Sequence, residues 1–229
     1  MKKSFAVLVF LSAATVADAQ FVKGIGIKVG TTIANQVWHY TMYNSSLLKE
    51  YAQGTFCSVN AEFLKGKNFT FITEVAYSQK GCEEGLPDLF LTLPANYSTY
   101  RIYDTRFNYL SSSILLKARF ENVHWIPYGF VGPRLDYQLS YASDFNFKPL
   151  EIYMNKNIWG IDYGLGIEYK IFRGGVSAEF RHHFDFDNML EVPTADNHPE
   201  IQVKSNAYIF NLGIKYYFKN PKKISVKPA

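Results

Sequence analysis

The segment Asn206 to Phe218 alternates more strictly than any other in this chain, and a strict period of two leaves few folds open. Tyr208, Phe210, Leu212, Ile214, Tyr216 and Phe218 share one face, while Ala207, Ile209, Asn211, Gly213, Lys215 and Tyr217 share the other. Successive side chains of a β-strand point to opposite faces, so this is a strand with one uniformly apolar side. Six large apolar groups set against Asn, Gly and Lys suit a strand between lipid and a polar interior. The segment reads as the closing strand of a transmembrane β-barrel.

Seven earlier segments repeat the pattern: Lys23 to Thr31, Thr55 to Leu64, Phe69 to Gln79, Arg106 to Phe120, Trp125 to Leu139, Ile158 to Ile171 and Gly175 to Asp185. The connections between them alternate long and short. Short ones fall at Lys65-Gly66-Lys67, Glu121 to His124 and Arg173-Gly174. Long ones run to about Gln53, from Gly81 to about Asp104, to Asn157, and through Pro193 and Pro199. Outer-membrane barrels keep short turns on the periplasmic side and long loops outside, and an even strand count leaves both termini in the periplasm. The expected fold is therefore all-β: an eight-stranded antiparallel transmembrane up-and-down barrel with long extracellular loops and short periplasmic turns. A soluble ligand-binding barrel has the same strand count but turns its apolar face inward.

Residues 1–19 read as a signal peptide, with Lys2 and Lys3 before an apolar run and Ala17-Asp18-Ala19 at the cleavage site. The barrel domain then covers 20–218, and 219–229 form a basic tail expected in the periplasm. No other apolar run approaches the ~20 residues a spanning helix needs, so insertion must use strands. The net charge of +4 is spread along the chain apart from the tail lysines, which leaves no footprint for nucleic acid. Cys57 sits mid-strand and Cys82 beyond the far end of the partner strand, so the register weighs against a disulfide.

Several stretches resemble one family. Glu74-Val-Ala-Tyr-Ser-Gln-Lys-Gly81 resembles the third-strand signature of the PorT-like outer-membrane β-barrel family of Bacteroidetes. Tyr109-Leu-Ser-Ser-Ser-Ile-Leu-Leu-Lys117, Tyr128-Gly-Phe-Val-Gly-Pro133 and Gly164-Leu-Gly-Ile-Glu-Tyr169 resemble its next three strands, with Ser113 where the family usually has Pro. The resemblance implies an integral outer-membrane barrel and an accessory or anchoring role in protein secretion. Periplasmic or secretion-machinery proteins would be its partners, beside outer-membrane lipid.

By parity Glu62, Glu74, Lys117, Arg119, Arg134, Asp136, Glu168, Glu179 and Arg181 point into the lumen. Ions held in low dielectric must be compensated, so they are expected to form a paired network that fills the barrel. A turn centred on Arg173-Gly174 would set Glu168 opposite Glu179, with Arg181, Arg119 or Arg134 neutralising them. His182, His183, Asp185 and Asp187 are the only cluster of metal-ligand types, but adjacent strand residues point to opposite faces. No metal or cofactor site is expected. Lipid-modifying barrels set a nucleophile beside a His; His182 faces outward, and no outward Ser or Thr on the last strand lies beside it. The chain is expected to be non-enzymatic, with a lipid-modifying enzyme and a soluble barrel as the alternatives.

Overall fold

The computed structural model describes residues 22–40, 45–63, 68–87, 100–120, 124–144, 148–193 and 200–218. The segments expected to be a signal peptide (1–19) and a basic tail (219–229) lie outside them. Ten strands follow in chain order: β1 (Val22–Tyr40), β2 (Ser45–Leu48), β3 (Glu50–Phe63), β4 (Phe69–Pro87), β5 (Tyr100–Arg119), β6 (Trp125–Ser143), β7 (Asn157–Ile171), β8 (Gly174–Asp185), β9 (Leu190–Val192) and β10 (Ile201–Tyr217). β1, β3 to β8 and β10 pair antiparallel with their neighbours, and β1 closes the ring on β10 from Gly24↔Tyr217 to Tyr40↔Ile201. Closure leaves the barrel wall no unpaired edge, which a sheet inside lipid requires.

The register also fixes the tilt. The hydrogen-bonded row Phe63, Phe71, Leu116, Val131, Tyr163, His182, Tyr208, Ile33 returns to β3 at Gln53, ten residues from its start. A stagger of ten over eight strands, at ~3.3 Å per residue and ~4.8 Å per strand, implies a tilt of ~40°. The row thus begins among apolar residues near the short turns and ends on a polar side chain near the long loops.

The apolar face lies outside. Ile27, Val59, Val75, Ile114, Leu165 and Leu212 are exposed, the last at 63%. All nine ionic residues assigned to the interior by parity are at most 6% exposed. A soluble barrel would have the opposite arrangement.

Three expectations require correction. The first long connection is mostly strand: β1 runs on to Tyr40, β2 folds back on it, and β3 begins at Glu50. The turn after β7 is the two-residue Phe172-Arg173, because Ile171 pairs with Gly174. Glu168 therefore faces Ser177, and Glu179 faces Gly166. Phe172 takes a left-handed φ of 43° at the tip of that turn, as a two-residue hairpin demands. Tyr141 lies on the inner side of the wall, stacked on buried Phe107 with ring centroids 5.9 Å apart. A β-bulge is the cause: Tyr109 pairs with Gln138 and Asn108 with Ser140, so Leu139 is the extra residue and parity slips beyond it.

Candidate functional site

The lumen holds the chain's concentration of buried charge, in three tiers. Near the short turns, Glu62 lies within ion-pair distance of Lys23 (3.1 Å), Arg119 (3.6 Å), Lys215 (3.6 Å) and Lys117 (3.9 Å). Glu168 takes Lys117 at 3.0 Å, Lys215 at 3.3 Å and the Tyr217 hydroxyl. The Lys117 ammonium also sits 3.8 Å from the centre of the Tyr128 ring, a cation–π contact in a dry setting.

At mid-height, Lys28 bridges Glu74 (2.7 Å) and Glu179 (2.8 Å), and Tyr128 donates its hydroxyl to Glu179 at 2.7 Å. Arg181 binds Glu74 and reaches Asp162 (3.3 Å) and Glu179 (3.4 Å). Its guanidinium lies between the rings of Phe130 and Phe56, 5.0 and 5.5 Å from their centres. Two glycines make room for this inward aromatic column. A Cβ on Gly166 would meet the Tyr128 ring at 2.5 Å, and one on Gly164 would meet Phe130 at 2.7 Å.

In the upper tier Arg134 contacts Asp136 (3.0 Å), Asp162 (2.8 Å) and Asp185. Lys80 joins Asp136 at 2.8 Å and Asp185 at 3.2 Å. Among the described residues, seven Lys or Arg and seven Asp or Glu are fully buried. The balance is what a low-dielectric interior demands, since a buried charge without a partner costs several kcal/mol.

Above these tiers the interior becomes apolar. Phe107, Tyr109, Met154, Ile158, Met189, Leu190 and Val203 form one buried cluster, with Trp38, Tyr141, Leu150, Val192 and Ile201 against it. The 3₁₀ turn Lys148–Tyr153 and β9 bring part of this plug across the mouth. The charged tiers and the apolar plug thus follow one another along the barrel interior, from the short turns to the long loops.

The interior set assigned by parity was incomplete. Lys28, Asp162 and Lys215 belong to it and stand on the polar faces of their strands, where parity finds them. Lys80 lies one residue past the expected end of its strand, and Asp185 had been grouped with the histidines. Arg181 compensates Glu74, Asp162 and Glu179, whereas Glu168 is held by Lys117, Lys215 and Tyr217.

The metal-type cluster is dispersed. His183 is buried in the lumen, 3.4 Å from Asp162. Asp185 pairs with Arg134 and Lys80, and Asp187 accepts the Trp159 backbone N–H at 2.8 Å. His182 faces outward, 2.8 Å from the Tyr163 hydroxyl and stacked on Tyr208. No group of three or more His, Cys, Asp or Glu among the described residues is placed to hold a metal ion. Cys57 is exposed on the outer wall opposite Tyr77, while Cys82 is buried inside opposite Tyr51, so the two thiols lie on opposite faces of the sheet. Cys82 sits beyond the apolar band, donates to the Gln36 carbonyl at 3.3 Å, and is pushed up to about 12 by burial.

Residues 19–192 match the family described as outer membrane protein beta-barrel domain. No curated protein matches the chain in sequence. Among solved structures, the outer membrane protein AlkL in lipid bilayers is similar at 12% identity and a TM-score of 0.51, over 93% of this chain and 96% of that one. OprG from Pseudomonas aeruginosa is similar at 13% identity and 0.49, over 88% and 100%. The outer membrane protease OmpT from Escherichia coli is similar at 10% identity and 0.44, over 87% and 98%. At such identities the likeness concerns fold alone.

Proposed function

The chain belongs to the outer membrane protein beta-barrel domain family, and from that premise we propose that it is a closed, non-enzymatic barrel that works through its end surfaces as an accessory or anchor in protein secretion. In this reading the short turns and both termini face the periplasm, the long loops face outward, and the basic tail meets a periplasmic or secretion-machinery protein. The observation that carries it is the make-up of the lumen: among the described residues, seven buried cations against seven buried anions, beneath an apolar plug. A barrel packed in this way has its rims and termini left for recognition. On its outer wall the described partners of His182 are the aromatic residues Tyr163, Phe184 and Tyr208. The resemblance of Glu74–Gly81 and the following strands to PorT-like proteins supports secretion as the process served.

The test compares periplasmic and secreted proteins between a deletion strain and its parent, with membrane insertion of the native protein checked by fractionation. Secreted cargo should accumulate in the periplasm of the deletion strain. An unchanged secretome would overturn the secretion role.

A further inference from the structure

Toward the long loops the outward face of the wall turns polar at Asn108 on β5 and Asn206 on β10. Between that level and Trp125, Tyr169 and Tyr216 on the short-turn side, the outward side chains are those that lipid favours, with one departure. His182 on β8 is the one outward Asp, Glu, Lys, Arg or His there among the described residues. A polar ring set against hydrocarbon is costly and calls for a partner.

The ring is fixed from two sides. Tyr163, His182 and Tyr208 are direct neighbours across β7, β8 and β10. The Tyr163 hydroxyl lies 2.8 Å from His182 Nδ1, and the imidazole stacks on the Tyr208 ring with centroids 4.6 Å apart. Nε2 makes no hydrogen bond among the described residues. If the Tyr163 O–H donates to Nδ1, the spare donor is Nε2–H; if Nδ1–H donates to Tyr163, the spare donor is the phenol O–H. Either tautomer leaves the pair one unspent proton on the outer wall.

An apolar groove adjoins this pair. Ala178 sits between Ile167 and Leu212 in one cross-strand row, and Leu165, Phe180 and Phe210 form the next. The small Ala178 among these large side chains marks a groove of about 810 Å³. Phe180 lines the groove and is also the outward residue next to His182 along β8. Tyr208 joins the two, because it stacks on His182 and also on Phe180, with centroids 5.9 Å apart and 7° between the ring planes.

We propose that the groove and the His182–Tyr163 pair together hold one membrane glycerolipid, with an acyl chain in the groove and an ester carbonyl accepting the unspent proton. The height fits. His182 is one outward step below Phe184, which pairs with Asn206 where the wall turns polar. Ester carbonyls lie where the chains meet the headgroup region, at that same boundary. The headgroup stays in water, so the site recognises the acyl ester and not the headgroup charge.

The test separates the carbonyl from the chain. The purified full-length protein, in a non-phospholipid detergent, is titrated in native mass spectrometry with a diacyl phosphatidylcholine and with its dialkyl ether analogue, which keeps the headgroup and chain length but has no carbonyl. The ester lipid should be retained about fivefold more tightly, the factor that one neutral hydrogen bond supplies. His182→Phe, which keeps an aromatic ring at the position, should abolish that preference and leave ether-lipid binding unchanged. Ala178→Phe fills the groove and should weaken both lipids together. Ile114→Phe, at an exposed position on β5, should behave as the parent. Heat-modified gel migration confirms that each variant is folded. Equal retention of ester and ether lipid by the parent, the behaviour of annular lipid only, would overturn the proposal, as would a preference that survives His182→Phe. Undiminished binding by Ala178→Phe would overturn the groove as the seat of the chain.

Discussion

The two halves of the barrel are built with opposite polarity. Within the apolar band the wall carries Ile27, Val59, Ile114 and Leu212 outward and holds Lys28, Glu74, Glu179 and Arg181 inside. Toward the long loops the same strands reverse this, with Phe107, Tyr109 and Val203 inside and Arg106, Asn108, Gln202 and Lys204 outside. The inversion falls between neighbouring residues. On β5 it lies at Asn108 and Tyr109, and on β10 near Asn206 and Ala207. On β5 and β10 side-chain parity continues through it, whereas on β6 the bulge at Leu139 shifts it, so along β5 and β10 the solvent outside the wall decides which residue types go inside. Where lipid takes the apolar face, the core must be polar and self-compensating. Where the wall stands in water, an ordinary apolar core returns.

Breaking the polar half should cost most. Arg181 holds three carboxylates with its whole side chain buried. Arg181→Ala leaves Glu74 and Asp162 undercompensated and should destabilise the barrel by about 3–5 kcal/mol, the range for removing one partner of a buried pair. Denaturant titration of the folded protein in detergent micelles reads this directly. A change below about 1 kcal/mol, the level of a surface pair, would mean that the network is wet and contributes little.

The apolar half should yield less, and locally. Ile158 is fully buried in the plug at the start of β7. Ile158→Ala should cost about 2–3 kcal/mol through lost burial and the cavity left behind. Because the plug sits above the band, hydrogen exchange should rise around Met154, Met189 and Val203 while amides near Arg181 stay protected. Equal loss of protection in both halves would show that plug and network unfold as one unit.

How much of this was legible in sequence follows from the same inversion. The eight wall strands and the nine interior charges can be read from parity, because the period of two is clean wherever lipid lies outside. The upper extensions of β1, β4, β5 and β10 were lost at the point where apolar-out becomes apolar-in, since an alternation that changes sign resembles the end of a strand. Lys80, one residue past the apparent end of β4, was lost with them. The plug could not be assembled from sequence at all. Met154, Met189 and Leu190 lie in a loop and a short strand whose contacts to Val203 and Phe107 arise only when the ring closes. The expected pairing of Glu168 with Glu179 failed for a smaller reason, a turn centre displaced by one residue, which moves the facing partner by two.

The sharpest test of the inversion uses one strand and two exposed positions. Leu212 lies in the band and Lys204 beyond it, both outward on β10. Leu212→Lys should destabilise by about 2–4 kcal/mol in a bilayer, the cost of a lysine near the midplane. Lys204→Leu should change stability by less than about 0.5 kcal/mol, as surface substitutions in water do. Urea unfolding in lipid vesicles measures both. If the second change stabilised the protein by 1 kcal/mol or more, Lys204 would face lipid, and the membrane boundary would lie above the residue where the interior changes from charged to apolar. Interior and exterior would then be set independently, and the coupling between what surrounds the wall and what fills it would fail.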